Sequence, residues 1–379
     1  MSVTDKKAKQ APRKLLALDG GGIRGIITLE VLAKLESELR TKLGRGDDFV
    51  LADYFDYVAG TSTGAMIATC LSLGMSVSDV LEFYIESGPA MFDKTNLYTR
   101  YIHNKFHDEK LAAKLQQVIA DRTGEPIARL GSDQLRTFLM LVLRNATTDS
   151  PWPISNNAEA HYNARPRADC NLDLPLWQLV RASTAAPTYF PPEVIKIGEH
   201  DFIFVDGGVT MYNNPAFQLF LMATLGQYKL EWPTGEDKML LVSIGTGRAA
   251  DANANLRPDE MNIVYNASSI PSALMFAAST EQDLLCRVFG KCLHGAPIDR
   301  ELGDLVGATG RGPVSPKLFT YLRYNADLSR EGLDALDLRP IQPKDVQQMD
   351  SVAHIAELQA VGRQVAREVN VGDFTGFLQ

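Results

Sequence analysis

A serine lies between two glycines in the pentapeptide Gly60-Thr61-Ser62-Thr63-Gly64, which has the form G-x-S-x-G. A serine hydroxyl becomes a useful nucleophile when it is exposed, held rigidly and paired with a base. A sharp turn from a strand into a helix meets the first two conditions, and it needs small flanking residues such as Gly60 and Gly64. Because a short predicted strand precedes the pentapeptide and an apolar predicted helix follows it, Ser62 is predicted to be a nucleophile. On the pattern alone, a loop that merely turns the chain remains an alternative.

Three successive glycines follow the first predicted strand in the segment Asp19–Gly25, DGGGIRG. The N–H groups of Gly20, Gly21 and Gly22 can converge on one oxygen, as the oxyanion hole of an acyl-transfer enzyme requires. Arg24 either adds positive charge there or braces the loop by pairing with a carboxylate. The segment is therefore predicted to stabilise a negatively charged transition state.

A dinucleotide-binding protein is an alternative, because the same glycines satisfy the pattern G-x-G-x-x-G between a strand and a helix. Two features count against it. Asp19 would place a carboxylate beside the pyrophosphate, and no strand ends in an acidic residue about 20 positions further on. A catalytically silent scaffold with a hydrolase-like core is the remaining alternative.

Asp206, Gly207 and Gly208 follow another short predicted strand. A carboxylate at the carboxyl end of a strand faces the crevice in which open α/β sheets place their active sites. A Ser-His-Asp triad would need a histidine after the acid, but His294 and His354 lie in predicted helical sequence. Asp206 is therefore predicted to take the serine proton directly. Since the ordinary pKa of a carboxyl is about 4, it must be shielded from water to act as a base.

Strand, glycine turn and helix recur along the first two thirds of the chain, which predicts an α/β fold with a largely parallel sheet. The predicted strands are residues 14–19, 55–59, 136–145, 202–205 and 238–244, and the main predicted helices are residues 24–43, 66–74, 176–184 and 214–225. Residues 75–130 are predicted to be mostly helical, and residues 147–173 to form a long loop.

After residue 250 helical patterns predominate, and no strand running into glycine is evident. We therefore expect a flexible tail at residues 1–13, a catalytic domain at residues 14–250, and a helical region at residues 251–379 packed on the core.

Composition excludes several classes of protein. The 379 residues carry a net charge of -8, so the basic surface typical of nucleic-acid binding is missing. The apolar stretches are too short for a membrane span, and no apolar run follows the basic start as in a signal peptide. Four cysteines and six histidines show no disulfide or metal-ligand spacing, so we expect a cytoplasmic protein without metal or cofactor.

Residues 95–108, TNLYTRYIHNKFHD, interleave aromatic and basic side chains. Such a mixture suits a membrane interface, and the segment is a candidate lid or docking face. A helix that packs the same aromatic side chains into the core is an equal alternative.

Taken together and in this order, the three motifs resemble the patatin-like phospholipase family. Residues 185–190, AAPTYF, are also similar to the family's S-x-A-x-P-x-x-F region, and the resemblance spans roughly residues 14–250. It implies a three-layer α/β/α fold, Ser62 as nucleophile, Asp206 as base and residues 20–22 as oxyanion donors. It also implies a metal-independent phospholipase A1, A2 or lysophospholipase that forms an acyl-enzyme from membrane phospholipid.

The size and layout of the chain are also comparable to those of bacterial patatin-like effectors in anti-phage defence, which a cyclic nucleotide activates. This resemblance implies a cyclic-nucleotide activator, peripheral contact with the inner face of the membrane and a homo-oligomer as candidate partners. The sequence itself shows no nucleotide pocket.

Overall fold

The structure, a computed structural model, describes residues 3–92, 113–187, 190–248, 257, 263–307 and 312–378. Within these residues nine strands form one sheet. The strands are β1 (Arg13–Leu18), β2 (Tyr57–Thr61), β3 (Phe138–Asn145), β4 (Ser150–Ser155), β5 (Glu193–Ile197), β6 (His200–Asp206), β7 (Met239–Ile244), β8 (Lys291–His294) and β9 (Thr320–Tyr324).

The strand order is β5-β6-β3-β2-β1-β7-β9-β8, and β4 pairs with β3. The run from β3 to β8 in that order is parallel throughout. Both β4 and β6 are antiparallel to β3, and β5 is antiparallel to β6. The predicted α/β fold with a largely parallel sheet is confirmed.

Helices precede, separate and follow the strands along the chain. They are α1 (Val3–Ala8), α2 (Gly25–Lys42), α3 (Leu51–Tyr54), α4 (Thr63–Ser72), α5 (Val77–Phe92), α6 (residues 113–123), α7 (Leu176–Ser183), α8 (Ala216–Thr224), α9 (Ile263–Phe289), α10 (Arg330–Ala335), α11 (Pro343–Gln347) and α12 (Ile355–Ala366).

The side chains of β1 show how the sheet is enclosed. Leu16 and Leu18 belong to one buried apolar cluster, and Leu15 and Ala17 belong to a second one. Because successive side chains of a strand point to opposite faces, the two clusters lie on opposite faces of the sheet. The first cluster includes residues of α2, α4 and α12, and the second includes residues of α8. The result is the expected three-layer α/β/α arrangement.

The N-terminal segment differs from the predicted flexible tail. Residues 3–8 form α1, and the buried Lys6 ammonium donates hydrogen bonds to the carbonyls of Ala52 and Phe55. Burial lowers the pKa of Lys6 to about 8. In the sequence pattern Lys6 looks like one of several charged residues of a solvated tail. In the structure it anchors this segment to the core. Its partners lie more than forty residues away, so the contacts leave no local signal in the sequence.

The sheet also contains strands that the sequence pattern does not predict. β4 lies inside the predicted loop 147–173, β5 precedes the predicted strand 202–205, and β8 and β9 lie in the predicted helical region. Helices do predominate after residue 250, but the sheet continues across that boundary. Arg323 interrupts the apolar pattern of β9, which explains why this buried strand is missed.

Arg323 is buried because it forms an ion pair with Asp19, at the end of β1. The two guanidinium nitrogens Nη1 and Nη2 of Arg323 donate to Oδ1 and Oδ2 of Asp19, at 2.9 and 2.5 Å. Arg323 Nη1 also donates to Ser243 Oγ on the intervening strand β7, at 2.7 Å. The pair therefore fixes the start of the glycine loop to a strand contributed by residues beyond 250.

Arg323→Met is expected to lower the free energy of unfolding by about 3–5 kcal/mol, because it leaves the Asp19 carboxylate buried without its partner. The double variant Asp19→Asn/Arg323→Met removes that charge and is expected to recover part of the loss. Urea titrations measure both. The control is Arg40→Met, which breaks the exposed Arg40–Asp47 pair and should cost less than about 1 kcal/mol. Equal losses for the two single variants would contradict this account.

Candidate active site

Ser62 occupies the one-residue turn between β2 and α4. Its backbone has φ 55° and ψ -122°, a conformation that a residue with a side chain rarely adopts and that costs about 1–3 kcal/mol. The two flanking glycines make the turn possible. A Cβ on Gly60 would lie 2.0 Å from the Gly64 carbonyl oxygen, and a Cβ on Gly64 would lie 2.2 Å from the Leu18 carbonyl oxygen. Both positions therefore need glycine, as the sequence pattern predicts.

Hydrogen bonds from neighbouring elements hold the strained turn. The N–H of Ser62 donates to Ser183 Oγ at 2.9 Å, and the Ser183 hydroxyl donates to the Val142 carbonyl at 2.6 Å. Thr61 Oγ1 donates to the Tyr212 carbonyl at 2.6 Å. Sequence reasoning did not single out Ser183. It is, however, the serine that would begin the S-x-A-x-P-x-x-F pattern, and that signal could have found it.

Asp206 reaches Ser62 because β2 and β6 share one edge of β3. Thr61 at the end of β2 pairs with Val142, and Asp206 at the end of β6 pairs with the next residue, Leu143. Since β4 occupies the opposite edge of β3, the two strand ends must meet. Ser62 Oγ donates a hydrogen bond to Asp206 Oδ2 at 2.6 Å, the geometry expected of a nucleophile and its base.

Burial makes Asp206 a stronger base than an ordinary carboxylate. Its side chain is almost completely removed from solvent, with a residue exposure of 5%. Desolvation raises its pKa to about 6, against the opposing effects of the Ser62 hydrogen bond, the Gly208 N–H and the Arg181 charge. The Gly208 N–H donates to Oδ1 at 2.6 Å, so the two carboxylate oxygens have separate donors. The shielding that the sequence argument requires is present.

Gly207 is the other glycine of the acid motif. A Cβ on Gly207 would lie 2.1 Å from the Val142 carbonyl oxygen, so the chain passes too close to β3 for any side chain at this position. Both predicted supporting residues of this motif thus have a structural role. Gly207 packs against β3 at Val142, and Gly208 donates its N–H to Asp206.

The glycine loop lies against Ser62 and differs in one respect from its predicted role. A Cβ on Gly20 would lie 3.2 Å from Ser62 Cβ, which places the loop beside this serine. The N–H of Gly20, however, donates to the Asn213 carbonyl at 3.1 Å, so this geometry does not support Gly20 as an oxyanion donor. Within the described residues, the N–H groups of Gly21 and Gly22 have no protein acceptor. Their role as donors remains a prediction.

Arg24 braces the glycine loop through backbone carbonyls. Its Nε donates to the Gly21 carbonyl at 3.4 Å and its Nη1 to the Gln347 carbonyl at 3.2 Å. The expected bracing of the loop is thus made through carbonyls and not through a carboxylate, since the nearby Asp19 carboxylate is paired with Arg323. Burial lowers the pKa of Arg24 to about 10, and the nearby Asp19 charge opposes this effect, so Arg24 remains a cation.

A cavity of about 400 Å³ opens beside the glycine loop. Its lining includes Gly20, Arg24, Asn213, Arg248, Phe276 and Lys344. Gly20, which lies beside Ser62, is part of this lining, and the cations that line the cavity are Arg24, Arg248, Arg323 and Lys344. Among the residues that the structure describes, no group of His, Cys, Asp and Glu is arranged to hold a metal ion.

The two histidines considered for a triad have other partners. His294 Nε2 lies 3.1 Å from Glu368 Oε2, and the ring stacks on Tyr324. His354 Nε2 and Nδ1 lie 3.6 and 3.4 Å from Asp345 and Glu357. The described geometry thus joins Ser62 to Asp206 without an intervening histidine. The candidate docking segment, residues 95–108, lies outside the described residues.

Comparison with known proteins gives the class of protein. The family described as patatin-like phospholipase matches residues 16–220, more than half of the chain. The chain therefore belongs to the patatin-like phospholipase family, which confirms the resemblance drawn from the motifs.

Relatives within the family include patatins of two Solanum species. The chain is 30% identical over 254 residues to Patatin-17 of Solanum cardiophyllum, an alignment covering 62% of this chain and 61% of the relative. It is 31% identical over 252 residues to Patatin-2-Kuras 4 of Solanum tuberosum, covering 62% of each. The chain thus spans less than two thirds of the length of these curated relatives. The solved structure of VipD from Legionella pneumophila aligns over 92% of this chain and 67% of that chain, at 15% identity and a TM-score of 0.40.

The rate at which a fluorophosphonate labels Ser62 is expected to fall about tenfold for each pH unit below about 6, because Asp206 must be unprotonated to accept the serine proton. Labelling rates between about pH 4.5 and 8 measure this. Asp206→Asn should react more slowly and lose the acid limb. An acid limb near pH 4, the ordinary carboxyl value, would contradict the burial argument.

Proposed function

We propose that this protein is a lipid acyl hydrolase that cleaves fatty-acyl esters of membrane phospholipids, as a phospholipase A or lysophospholipase. The observation that carries the proposal is the 2.6 Å hydrogen bond from Ser62 Oγ to the buried Asp206 carboxylate, in a chain of the patatin-like phospholipase family. The strained backbone at Ser62 supports it, because such strain persists mainly at functional sites.

The proposed reaction needs only the dyad and water. Asp206 accepts the hydroxyl proton while Ser62 Oγ forms a bond to the ester carbonyl carbon, whose oxygen becomes negatively charged. As the intermediate collapses, the ester C–O bond breaks and Asp206 returns the proton to the departing lysolipid oxygen. A water molecule then gives a proton to Asp206 and attacks the acyl-enzyme, and the fatty acid leaves as Ser62 regains its proton.

The charge of the cavity supports a substrate that carries phosphate. Arg24, Arg248 and Lys344 line it together with the Asp19–Arg323 ion pair, so cations outnumber anions among the lining residues. A phosphate group of a bound lipid would meet a favourable potential there, whereas a neutral glyceride would gain nothing from these charges.

Exposed apolar side chains beside the site support contact with a membrane surface. Ile270 and Leu274, one turn apart on α9, are 50% and 65% exposed, and Val209 and Met211 follow the acid motif with 39% and 48% exposure. The two pairs lie close to each other, because Gly208, which precedes Val209, approaches Met275, which follows Leu274. A Cβ on Gly208 would lie 3.3 Å from Met275 Cε. We name these four residues the apolar rim. In the described residues, no helix is long and apolar enough to span a membrane.

The resemblance to bacterial effectors supports a proposal on regulation: a cyclic nucleotide activates the enzyme at the inner face of the membrane during anti-phage defence, in a homo-oligomer. Hydrolysis rates with and without added cyclic nucleotides, together with the mass of the protein in solution, test this part separately from the chemistry.

Wild-type protein incubated with mixed phospholipid vesicles is expected to release free fatty acid and lysolipid, and Ser62→Ala and Asp206→Ala are expected to release neither above background. The physical reason is that in the proposed reaction Ser62 Oγ attacks the ester, and the Asp206 carboxylate is the only group that accepts its proton. Mass spectrometry of the extracted lipids gives the measurement. Ser78→Ala, an exposed serine on α5, is the control and should match the wild type.

Two outcomes would count against this proposal. Undiminished hydrolysis by Ser62→Ala would place the chemistry elsewhere. Failure of the wild-type protein to hydrolyse any ester, combined with binding of NAD, would favour the dinucleotide alternative, and failure without such binding would favour a silent scaffold.

Leu274→Glu and Ile270→Glu are each expected to lower the hydrolysis of vesicle phospholipid at least about tenfold, because a charge at the rim opposes insertion among lipid acyl chains. Hydrolysis of soluble p-nitrophenyl butyrate should stay within about twofold of wild type. The control is Ile127→Glu, which alters an equally exposed side chain outside the apolar rim, 53% exposed. Equal losses on both substrates would show a structural effect and contradict a membrane-docking role.

A further inference from the structure

Asn213 lies between the two glycine loops of the site. It is 8% exposed, and its side-chain oxygen Oδ1 occupies space that side chains on Gly20 and Gly208 would otherwise fill. A Cβ on Gly20 would stand 2.5 Å from this oxygen, and a Cβ on Gly208 would stand 3.0 Å from it. The two glycines therefore make room for the Asn213 amide as well as for the backbone turns.

The Asn213 amide has one atom without a partner. Its Nδ2 donates to Ser279 Oγ on α9 at 3.1 Å, but Oδ1 has no hydrogen-bond partner among the described residues. A buried polar atom left unpaired costs about 1–3 kcal/mol, so such an atom needs an explanation. The Ser279 hydroxyl can either accept or donate. The amide can therefore turn by 180°, keep its bond to Ser279, and present its NH₂ group where Oδ1 now lies.

The unpaired atom faces the reacting groups. The position that a Gly20 Cβ would occupy is 2.5 Å from Asn213 Oδ1 and 3.2 Å from Ser62 Cβ. The corresponding position on Gly208 is 3.0 Å from both Asn213 Oδ1 and Asp206 Oδ1. Asn213 also lines the cavity beside the glycine loop.

The backbone of Asn213 explains why a side-chain donor is needed here. Its carbonyl accepts the N–H of Gly20, which removes one of the three backbone donors that the glycine loop could offer. Asn213 therefore accepts one N–H of the glycine loop with its backbone carbonyl, and it places its side-chain amide next to that loop. A donor fixed by a buried anchor loses little freedom when charge develops on the substrate.

We propose that Asn213 is a catalytic residue whose Nδ2–H donates to the substrate oxyanion, together with the N–H groups of Gly21 and Gly22. The inference rests on the proposed hydrolase function and adds a residue to its chemistry. Because the carbonyl oxygen carries a full negative charge only in the tetrahedral state, the Asn213 donor acts on kcat more than on KM.

The experiment compares Asn213→Leu and Ser279→Ala with the wild type on p-nitrophenyl butyrate, with thermal unfolding as the check on folding. Asn213→Leu keeps the side-chain shape but has no donor, and it is expected to lower kcat about 100-fold with KM within about threefold. Its acid limb should stay at the wild-type pH. Ser279→Ala leaves the amide without its anchor and is expected to give a smaller loss of kcat. Since Ser279 is on α9, this second variant decides the matter if Asn213→Leu does not fold.

Three outcomes would overturn the inference. Wild-type kcat in a folded Asn213→Leu, or in Ser279→Ala if Asn213→Leu does not fold, would show that the amide does not act. A higher KM at unchanged kcat would make Asn213 a residue of ground-state binding. A shifted acid limb would make it a positioning residue for Asp206. A wild-type protein that neither hydrolyses esters nor reacts with a fluorophosphonate would instead refute the proposed function itself.

Discussion

The hydrogen bond between Ser62 and Asp206 depends on how one strand is shared. β3 pairs first with β2 and then, one residue further on, with β6, while β4 covers its other edge. The serine follows the last residue of β2 and the carboxylate is the last residue of β6. Their side chains therefore meet at 2.6 Å although 144 residues separate them in the sequence. A change of register in either pairing would move one group away from the other and break this hydrogen bond.

The site combines several arrangements that each oppose stability. Ser62 has a strained backbone, Asp206 is a buried carboxylate whose pKa is raised to about 6, and a buried oxygen of Asn213 has no partner among the residues that the structure describes. The surrounding structure holds these groups in place. The Asp19–Arg323 pair fixes the glycine loop to β9, and apolar clusters enclose the sheet on both faces. Strain and burial at a few polar groups, supported by a rigid core, are typical of sites that act on a substrate.

Local sequence patterns predicted those parts of the molecule whose conformation depends on residues close together in the sequence. The turn at Ser62, the glycine loop and the strand before Asp206 each have a short pattern with a single physical reason. What the sequence could not show are pairings between distant residues. Lys6 anchors a segment that looks like a tail, and Arg323 makes β9 look unlike a buried strand. The N–H of Gly20 is taken by the carbonyl of Asn213, which no pattern in either segment indicates.

The central claim, that Ser62 attacks an acyl ester with Asp206 as its base, is tested most directly by trapping the acyl-enzyme. Wild-type protein and Asp206→Asn are mixed with a phospholipid bearing one known acyl chain, quenched in acid within milliseconds to seconds, and digested for mass spectrometry. The account predicts that the peptide containing Ser62 gains the mass of that acyl group in the wild type, and that it does so far more slowly in Asp206→Asn. Acylation of a different residue, or equal rates in the two proteins, would contradict it.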